Sequence, residues 1–268
     1  AEARVTLPPG AYRVKLVTAS GVEASTLLNW AGRVEAPSAP QEGEALLRIA
    51  AKPEGWGTTD PPPGDYGVPP GQKVVVSAIP LGDSVFMVWL LNGAFYSSSS
   101  RVEITVERDT ELAAIFAKEL VKNGDFSSGL LGWEYGPQWA WSAAGGKAEL
   151  QVSLGKGESL TAWIQQEVKL DFAAGIANLT LRYDSLRDPL GKGLVDKFLL
   201  KVLVDGSEVR SVDLLNTSSG FEKILLRDLA PGTHTLKILI EVARAGGAVS
   251  VQFTVTLDDV SLKATPPF

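Results

Sequence analysis

The sequence predicts an all-β protein, with a small β-rich unit in the middle and a β-sandwich over the C-terminal half. Three observations predict it: apolar residues recur at every second position, turn residues separate these runs, and no segment carries a long amphipathic helix. At the N-terminus, Tyr12, Val14, Leu16 and Thr18 alternate with Arg13, Lys15 and Val17 after a Pro8-Pro9-Gly10 turn, whereas residues 25–30 are short and ambiguous. Val102, Ile104 and Val106 form the next clear alternation. Ala148, Leu150, Val152 and Leu154 then alternate with Lys147, Glu149, Gln151 and Ser153. Leu236, Ile238, Ile240 and Val242 follow, and Val249, Val251, Phe253, Val255 and Leu257 line one face of a last strand. Asp205-Gly206, Pro231-Gly232, Ala245-Gly246-Gly247 and Pro69-Pro70-Gly71 supply the turns between strands. Alternation this regular marks antiparallel sheets with one face on a core and the other on water or a partner.

A chain of 268 residues is long enough for two or three domains. Boundaries fall in the Pro/Glu/Ser stretch 36–44 and near Ala117-Lys118, giving an N-terminal β arm or cap (1–45), a β unit (46–117) and a sandwich (118–268). Hydrophobic residues make up 45% and charged residues 21%, which excludes intrinsic disorder. The mean hydropathy of +0.09 leaves room for burial against other chains.

A formal charge of −6 and the lack of any Lys/Arg run remove the electrostatic footprint of a nucleic-acid binder. Zero cysteines exclude disulfides, thiolate catalysis and iron–sulfur clusters, and one histidine, His234, excludes a multi-histidine metal site. His234 follows a Pro-Gly turn with no Ser or Cys motif beside it, which reads as a structural histidine. No apolar run reaches the ~18–20 residues of a membrane span. The start Ala-Glu-Ala, without methionine, reads as a mature terminus after signal-peptide removal and points to secretion. Only twelve Asn and Gln residues, beside one Met and many prolines, fit a thermophile.

In the middle unit the order Gly57-Thr58-Thr59-Asp60-Pro61, Pro63-Gly64-Asp65-Tyr66, residues 71–80, Phe86, Trp89, Asn92-Gly93, residues 102–106 and Leu112-Ala113-Ala114-Ile115-Phe116 resembles a repeat of bacterial and archaeal surface proteins related to the internalin B-repeat. The resemblance implies a spacer without catalytic residues. Independently of it, Pro61 to Pro63 and Gly64 preset a stiff turn, and Phe86 and Trp89 supply large apolar area. Asp60 and Asp65 read as turn and solvation chemistry rather than as an acid pair.

The sandwich opens with Leu120-Val121-Lys122-Asn123-Gly124-Asp125-Phe126 and Gly132-Trp133, contains Pro231-Gly232-Thr233-His234, and closes with Leu257-Asp258-Asp259-Val260-Ser261-Leu262. These residues resemble galactose-binding-like carbohydrate-binding modules, which implies a jelly roll whose first and last strands lie side by side, often with a structural calcium. Oxygen donors are what calcium requires. The implied ligands are Asp258, with Asp125 and Asn123; the other reading is that Asp258 and Asp259 end a strand. For sugar, the requirement is an exposed aromatic plane with fixed hydrogen-bonding groups. Leu160, Ala162, Ile164, Val168 and Leu170 share one parity, so Trp163 falls on the polar side with Thr161, Gln165, Glu167 and Lys169. Arg182 and Asp184 take the polar parity of what reads as the neighbouring strand, and Trp139 and Trp141 fall in a loop that could add walls. Trp163 is a ligand platform, or else it covers an interface or the core.

Asp184, Asp188 and Asp196 surround a Pro/Gly loop, but nothing in the sequence spaces two carboxylates as a glycosidase needs. Asn178-Leu179-Thr180 and Asn216-Thr217-Ser218 match the N-glycosylation pattern. An unpaired strand in the arm must pack on its own chain or complete a sheet in a neighbouring subunit, which repeated head to tail makes a filament. The reading is a secreted, non-enzymatic cell-surface or filament subunit, a homo-oligomer through β-strand contacts, adhering to polysaccharide. The rival is a carbohydrate-binding segment of a polysaccharide-degrading enzyme.

Overall fold

The structure is a computed structural model and describes residues 10–17, 23–30, 40–142, 145–187, 194–244, 246–247 and 250–267. It is all-β, as the alternation predicts. The arm contains two strands, β1 (Gly10–Val17) and β2 (Glu23–Trp30), paired antiparallel with Gly10 opposite Trp30 and Val17 opposite Glu23. The ambiguous stretch 25–30 is therefore a strand, and its backbone partner is its own neighbour in sequence.

Beyond the arm the chain divides into two compact units. The first holds residues 40–51, 58–79 and 88–114; the second holds 52–57, 80–87 and 115–267. The first is built from β3 (Ala45–Lys52), β4 (Gly57–Asp60), β5 (Gly64–Val68), β6 (Gln72–Pro80), the second half of β7 (Ser84–Leu91), β8 (Ala94–Ser97), β9 (Arg101–Val106) and the start of β10 (Thr110–Glu119). β3 pairs antiparallel with β5, β6 with β9, and β7 with β8 through the Asn92-Gly93 turn, where both residues have positive φ. Trp89 is fully buried in this unit with Leu47, Val76 and Ile104. The proline turn is held from both sides: Thr59 Oγ1 donates to Pro61 O (2.6 Å) and Tyr66 Oη to Pro62 O (2.5 Å). Asp65 accepts two bonds from the Arg48 guanidinium (2.8 and 3.0 Å), so it is an ion-pair partner.

The second unit is a sandwich of two antiparallel sheets. One runs β12 (Trp139–Ser142), β13 (Lys147–Leu154), β20 (Val251–Thr265), β15 (Ala174–Arg187), β18 (Ser219–Leu229). The other runs β11 (Glu134–Tyr135), β14 (Ser159–Leu170), β19 (Gly232–Arg244), β16 (Val195–Val204), β17 (Ser207–Asp213). The chain changes sheet at most connections, the winding of a jelly roll. Ile164, Ile238 and Leu200 face Leu150, Val255 and Leu179 in one buried cluster, and Phe198 meets Phe253 edge to face at 5.1 Å. The Asp205-Gly206 hairpin between β16 and β17 has positive φ at both residues, as its short turn demands.

The opening motif is a strap over the last strand. Lys118 and Glu119 pair with Ala264 and Lys263, Leu120 N donates to Leu262 O, and Val260 N donates to Gly124 O. Gly124 lies so close to the Val260 carbonyl that any Cβ there would overlap it. Asn123 Nδ2 donates to Gly129 O and Leu131 O, its Oδ1 accepts from Ser128 N, and Trp133 Nε1 donates to Asn123 O. Phe126 and Trp133 fill the core beneath.

Gln166 ties this strap to the opposite sheet. It sits on the apolar parity of β14, where a polar side chain costs free energy unless paired. Its Oε1 accepts from Lys122 N (2.7 Å) while Nε2 donates to Lys122 O (2.9 Å) and Gly132 O (3.1 Å). Gln166→Leu removes the partner of three part-buried backbone groups and is expected to cost about 1–2 kcal/mol in urea unfolding. Gln165→Leu, one residue away on the outer face, is expected to stay within about 0.5 kcal/mol.

Candidate functional site

Trp163 lies half-buried on the outer face of the β14-containing sheet. Strand register supplies its neighbours. Gln165 is opposite Lys237 on β19 and Glu134 on β11; Trp163 is opposite Leu239, which pairs onward with Lys201 of β16; Thr161 is opposite Glu241. Gln165 Nε2 donates to Glu134 Oε2 (2.9 Å), and Lys237 Nζ stands 4.8 Å from the Trp163 ring centre. Gly136 N donates to Trp163 O (2.9 Å), fixing the turn after β11 beside the indole. Glu241 accepts from Lys197 and lies 3.4 Å from Lys201, which also pairs with Glu208 at 3.1 Å. The hydrogen bond from Lys197 holds the Glu241 carboxyl below its ordinary value against the opposing effect of burial, with the charge of Lys201 adding to it. One aromatic plane, one amide and a chain of fixed charges thus share a face.

The other residues proposed from the sequence do not join them. Arg182 is on β15, which belongs to the opposite sheet, because the connection after β14 crosses the sandwich instead of making a hairpin. There Arg182 Nε donates to Asp259 Oδ2 (3.0 Å), and the guanidinium sits 5.6 Å from the Phe221 ring centre. Trp139 is in strand β12, not a loop, and at 3% exposure it is a core residue. Trp141, in the same strand, is 44% exposed but donates to Phe126 O (3.0 Å) and packs near Gly129. Of the sequence-proposed set, only Trp163 and Gln165 share the outer face of β14.

Asp258 and Asp259 do not end the last strand. Asp259 has φ 50°, and the pairing with β15 slips between Thr180 and Arg182, so Asp259 and Val260 together oppose Leu181 and form a β-bulge within β20, with Asp258 still in register opposite Arg182. Asp258 Oδ1 accepts from Asp259 N, and its Oδ2 lies 3.9 Å from Lys147. Asp125 Oδ1 accepts from Ser127 N and Oγ, and the Asn123 amide is engaged by the strap. Among the described residues no three His or carboxylate side chains cluster as a metal would require. Each of Asp258, Asp125 and Asn123 thus holds local backbone through one side-chain oxygen.

Asn178 is mid-strand in β15, paired with Leu225 and Lys263 on either side, a poor glycan acceptor; Asn216 is exposed in the turn after β17, where its amide donates to Asp213. Asp184 pairs with Lys147 (3.3 Å), Asp196 is exposed near the start of β16, and Asp188 lies outside the described residues. Glu134, Lys237, Glu241 and Lys201 were not singled out from the sequence: cross-strand adjacency brings them together, and only knowledge of the pairing reveals it.

No protein-family model matches the chain, and no curated protein matches it. Among solved structures the chain is similar to TmCBM61 in complex with β-1,4-galactotriose, at 21% identity over 54% of this chain and 97% of that one, TM-score 0.32. It is also similar to TmCBM27, a carbohydrate-binding module described for specific mannan recognition, at 14% identity over 55% and 96%, TM-score 0.36. A third likeness is to carbohydrate-binding modules of the β-sandwich superfamily with promiscuous specificity, at 14% identity over 83% and 99%, TM-score 0.32. At these identities and scores no ligand and no binding residue passes from those modules to this chain. Nothing in the comparisons supports the surface-repeat resemblance of residues 46–117.

His234 is buried at the start of β19, with Nδ1 donating to Asp205 Oδ2 (2.7 Å) and Nε2 to Ala230 O (2.8 Å). Two acceptors for two ring nitrogens call for the imidazolium form. The Asp205 hydrogen bond raises the His234 pKa above its ordinary 6.5, against burial and with help from the Ala230 carbonyl. For Asp205, burial pushes upward but is outweighed by the bonds from His234 and Thr235 N, and the carboxyl sits below its ordinary 3.8. The histidine's contribution to stability is therefore complete below its ordinary value and is lost as pH rises through the raised one. The aspartate's contribution is present above 3.8 and is lost as pH falls through the lowered value. Urea midpoints should fall as pH rises above the ordinary histidine value of 6.5, and His234→Gln should flatten that slope; a slope unchanged by the substitution would assign it to other groups.

Proposed function

We propose that the chain is an extracellular, non-catalytic carbohydrate-binding protein whose sandwich presents the Trp163 face to a glycan. The observation that carries this reading is Trp163 itself, a large aromatic on the polar side of a regular strand, flanked by the Gln165–Glu134 hydrogen bond and by Lys237. Ring faces stack on aromatic planes while amide, carboxylate and ammonium groups match sugar hydroxyls. Lys237 stands over the indole, so a sugar takes the rest of the ring and a bond to that ammonium. The non-catalytic part of the reading is supported by the carboxylates. Asp65, Asp83, Asp205 and Glu241 are held below their ordinary values, the reverse of the raised acid that glycoside cleavage uses.

A second element of the reading is self-assembly through the arm. Among the described residues β1 and β2 pair only with each other, so each leaves an outer edge without a backbone partner. Two-stranded hairpins are marginal in water, and a free edge is a template for another strand.

Affinity electrophoresis against a panel of soluble neutral polysaccharides tests the first element. At least one should retard the protein, and Trp163→Ala should weaken the retardation about tenfold with the circular dichroism unchanged. Retardation by none, or equal retardation of the variant, removes the Trp163 site. Deleting residues 1–30 tests the second: light scattering should report loss of any concentration-dependent assembly, and unchanged assembly would place the contact elsewhere.

A further inference from the structure

A cleft of about 270 Å³ lies within the sandwich unit, shares no residue with the Trp163 face, and is lined by Gly55, Trp56, Leu81, Gly82, Asp83, Ser84 and Lys118. Its aromatic wall is held rigidly. Trp56 O accepts from Leu81 N (3.0 Å) and from Ser84 Oγ, Trp56 N donates to Pro53 O, and Phe172 meets the indole edge to face at 5.2 Å. Lys118 Nζ stands 5.6 Å from the Trp56 ring centre and donates to Asp83 Oδ2 at 3.1 Å. The Asp83 side chain is 79% exposed, so one carboxylate oxygen and most of its surface face solvent. Gly55 and Gly82 adopt positive φ, and a Cβ built on either would meet nothing within 4 Å, so their walls are bare backbone beside open space.

These groups define a ligand class. The ion pair makes the cleft neutral overall, which disfavours a charged guest. A carboxylate accepts from two adjacent hydroxyls, an ammonium donates to a third oxygen, and an indole takes a C–H face. The volume is below the roughly 300–1,000 Å³ of sites for drug-sized molecules, which suits one ring or a chain end rather than a run of residues. We infer that this cleft is a second carbohydrate site, taking a single neutral pyranose through Trp56, Asp83 and Lys118. It does not depend on the Trp163 face.

The test uses the full chain with the methyl glycosides of glucose, galactose and mannose, followed by chemical-shift perturbation of the tryptophan indole N–H signals. At least one glycoside should shift the Trp56 signal with millimolar affinity. Asp83→Asn should weaken that binding about tenfold, since it replaces charge-assisted hydrogen bonds by neutral ones. Lys118→Met should also weaken it. Trp163→Ala should leave the Trp56 shift intact, and Asp83→Asn should leave polysaccharide retardation intact, which separates failure of one site from failure of the other. Asp83 is exposed, so its variant keeps the test sound if Trp56→Ala unfolds the cleft. A Trp56 signal unmoved by all three glycosides, or binding undiminished in Asp83→Asn, overturns the assignment.

Discussion

The sandwich depends on how one non-strand segment is satisfied. Residues 120–133 cross the last strand without belonging to a regular sheet, and backbone groups buried in such a segment cost free energy unless each finds a partner. Gln166 supplies partners for Lys122 and Gly132 from the opposite sheet, Glu119 accepts from Leu262 N and Ser261 Oγ, and the Asn123 amide closes the loop on itself. Gly124 lets the two backbones approach. With these in place Phe126 and Trp133 enter the core, and the sheets are fastened at the end where the chain begins its winding.

The two-residue period made the strands legible because each sheet has one buried face. The parity of Leu160, Ala162, Ile164, Val168 and Leu170 matches the inner face of β14, and Val251, Phe253, Val255 and Leu257 match that of β20. Sheet membership was not legible. Arg182 and Trp163 share a polar parity on consecutive long strands, yet parity says nothing about which sheet a strand joins, and the two lie on opposite outer faces. Trp139 misled for a related reason, since a four-residue strand between glycine-rich turns carries too few positions to show a period.

Charged groups on the outer face of the β14 sheet are engaged pairwise across strands: Glu241 with Lys197 and Lys201, Lys201 with Glu208, Glu134 with Gln165. Exposed pairs of this kind contribute little to stability individually. Their effect is to restrict side chains that would otherwise sample many rotamers, so hydrogen-bonding atoms around Trp163 stand in defined places. The same holds at the Trp56 cleft, where Lys118 bridges the indole and Asp83.

The bulge at Asp259-Val260 reverses the sidedness of the final strand: Leu257 points inward, and so do Val260, Leu262 and Ala264, although they are of opposite parity. Gaining or losing a single residue there would turn Val260, Leu262 and Ala264 toward water at once.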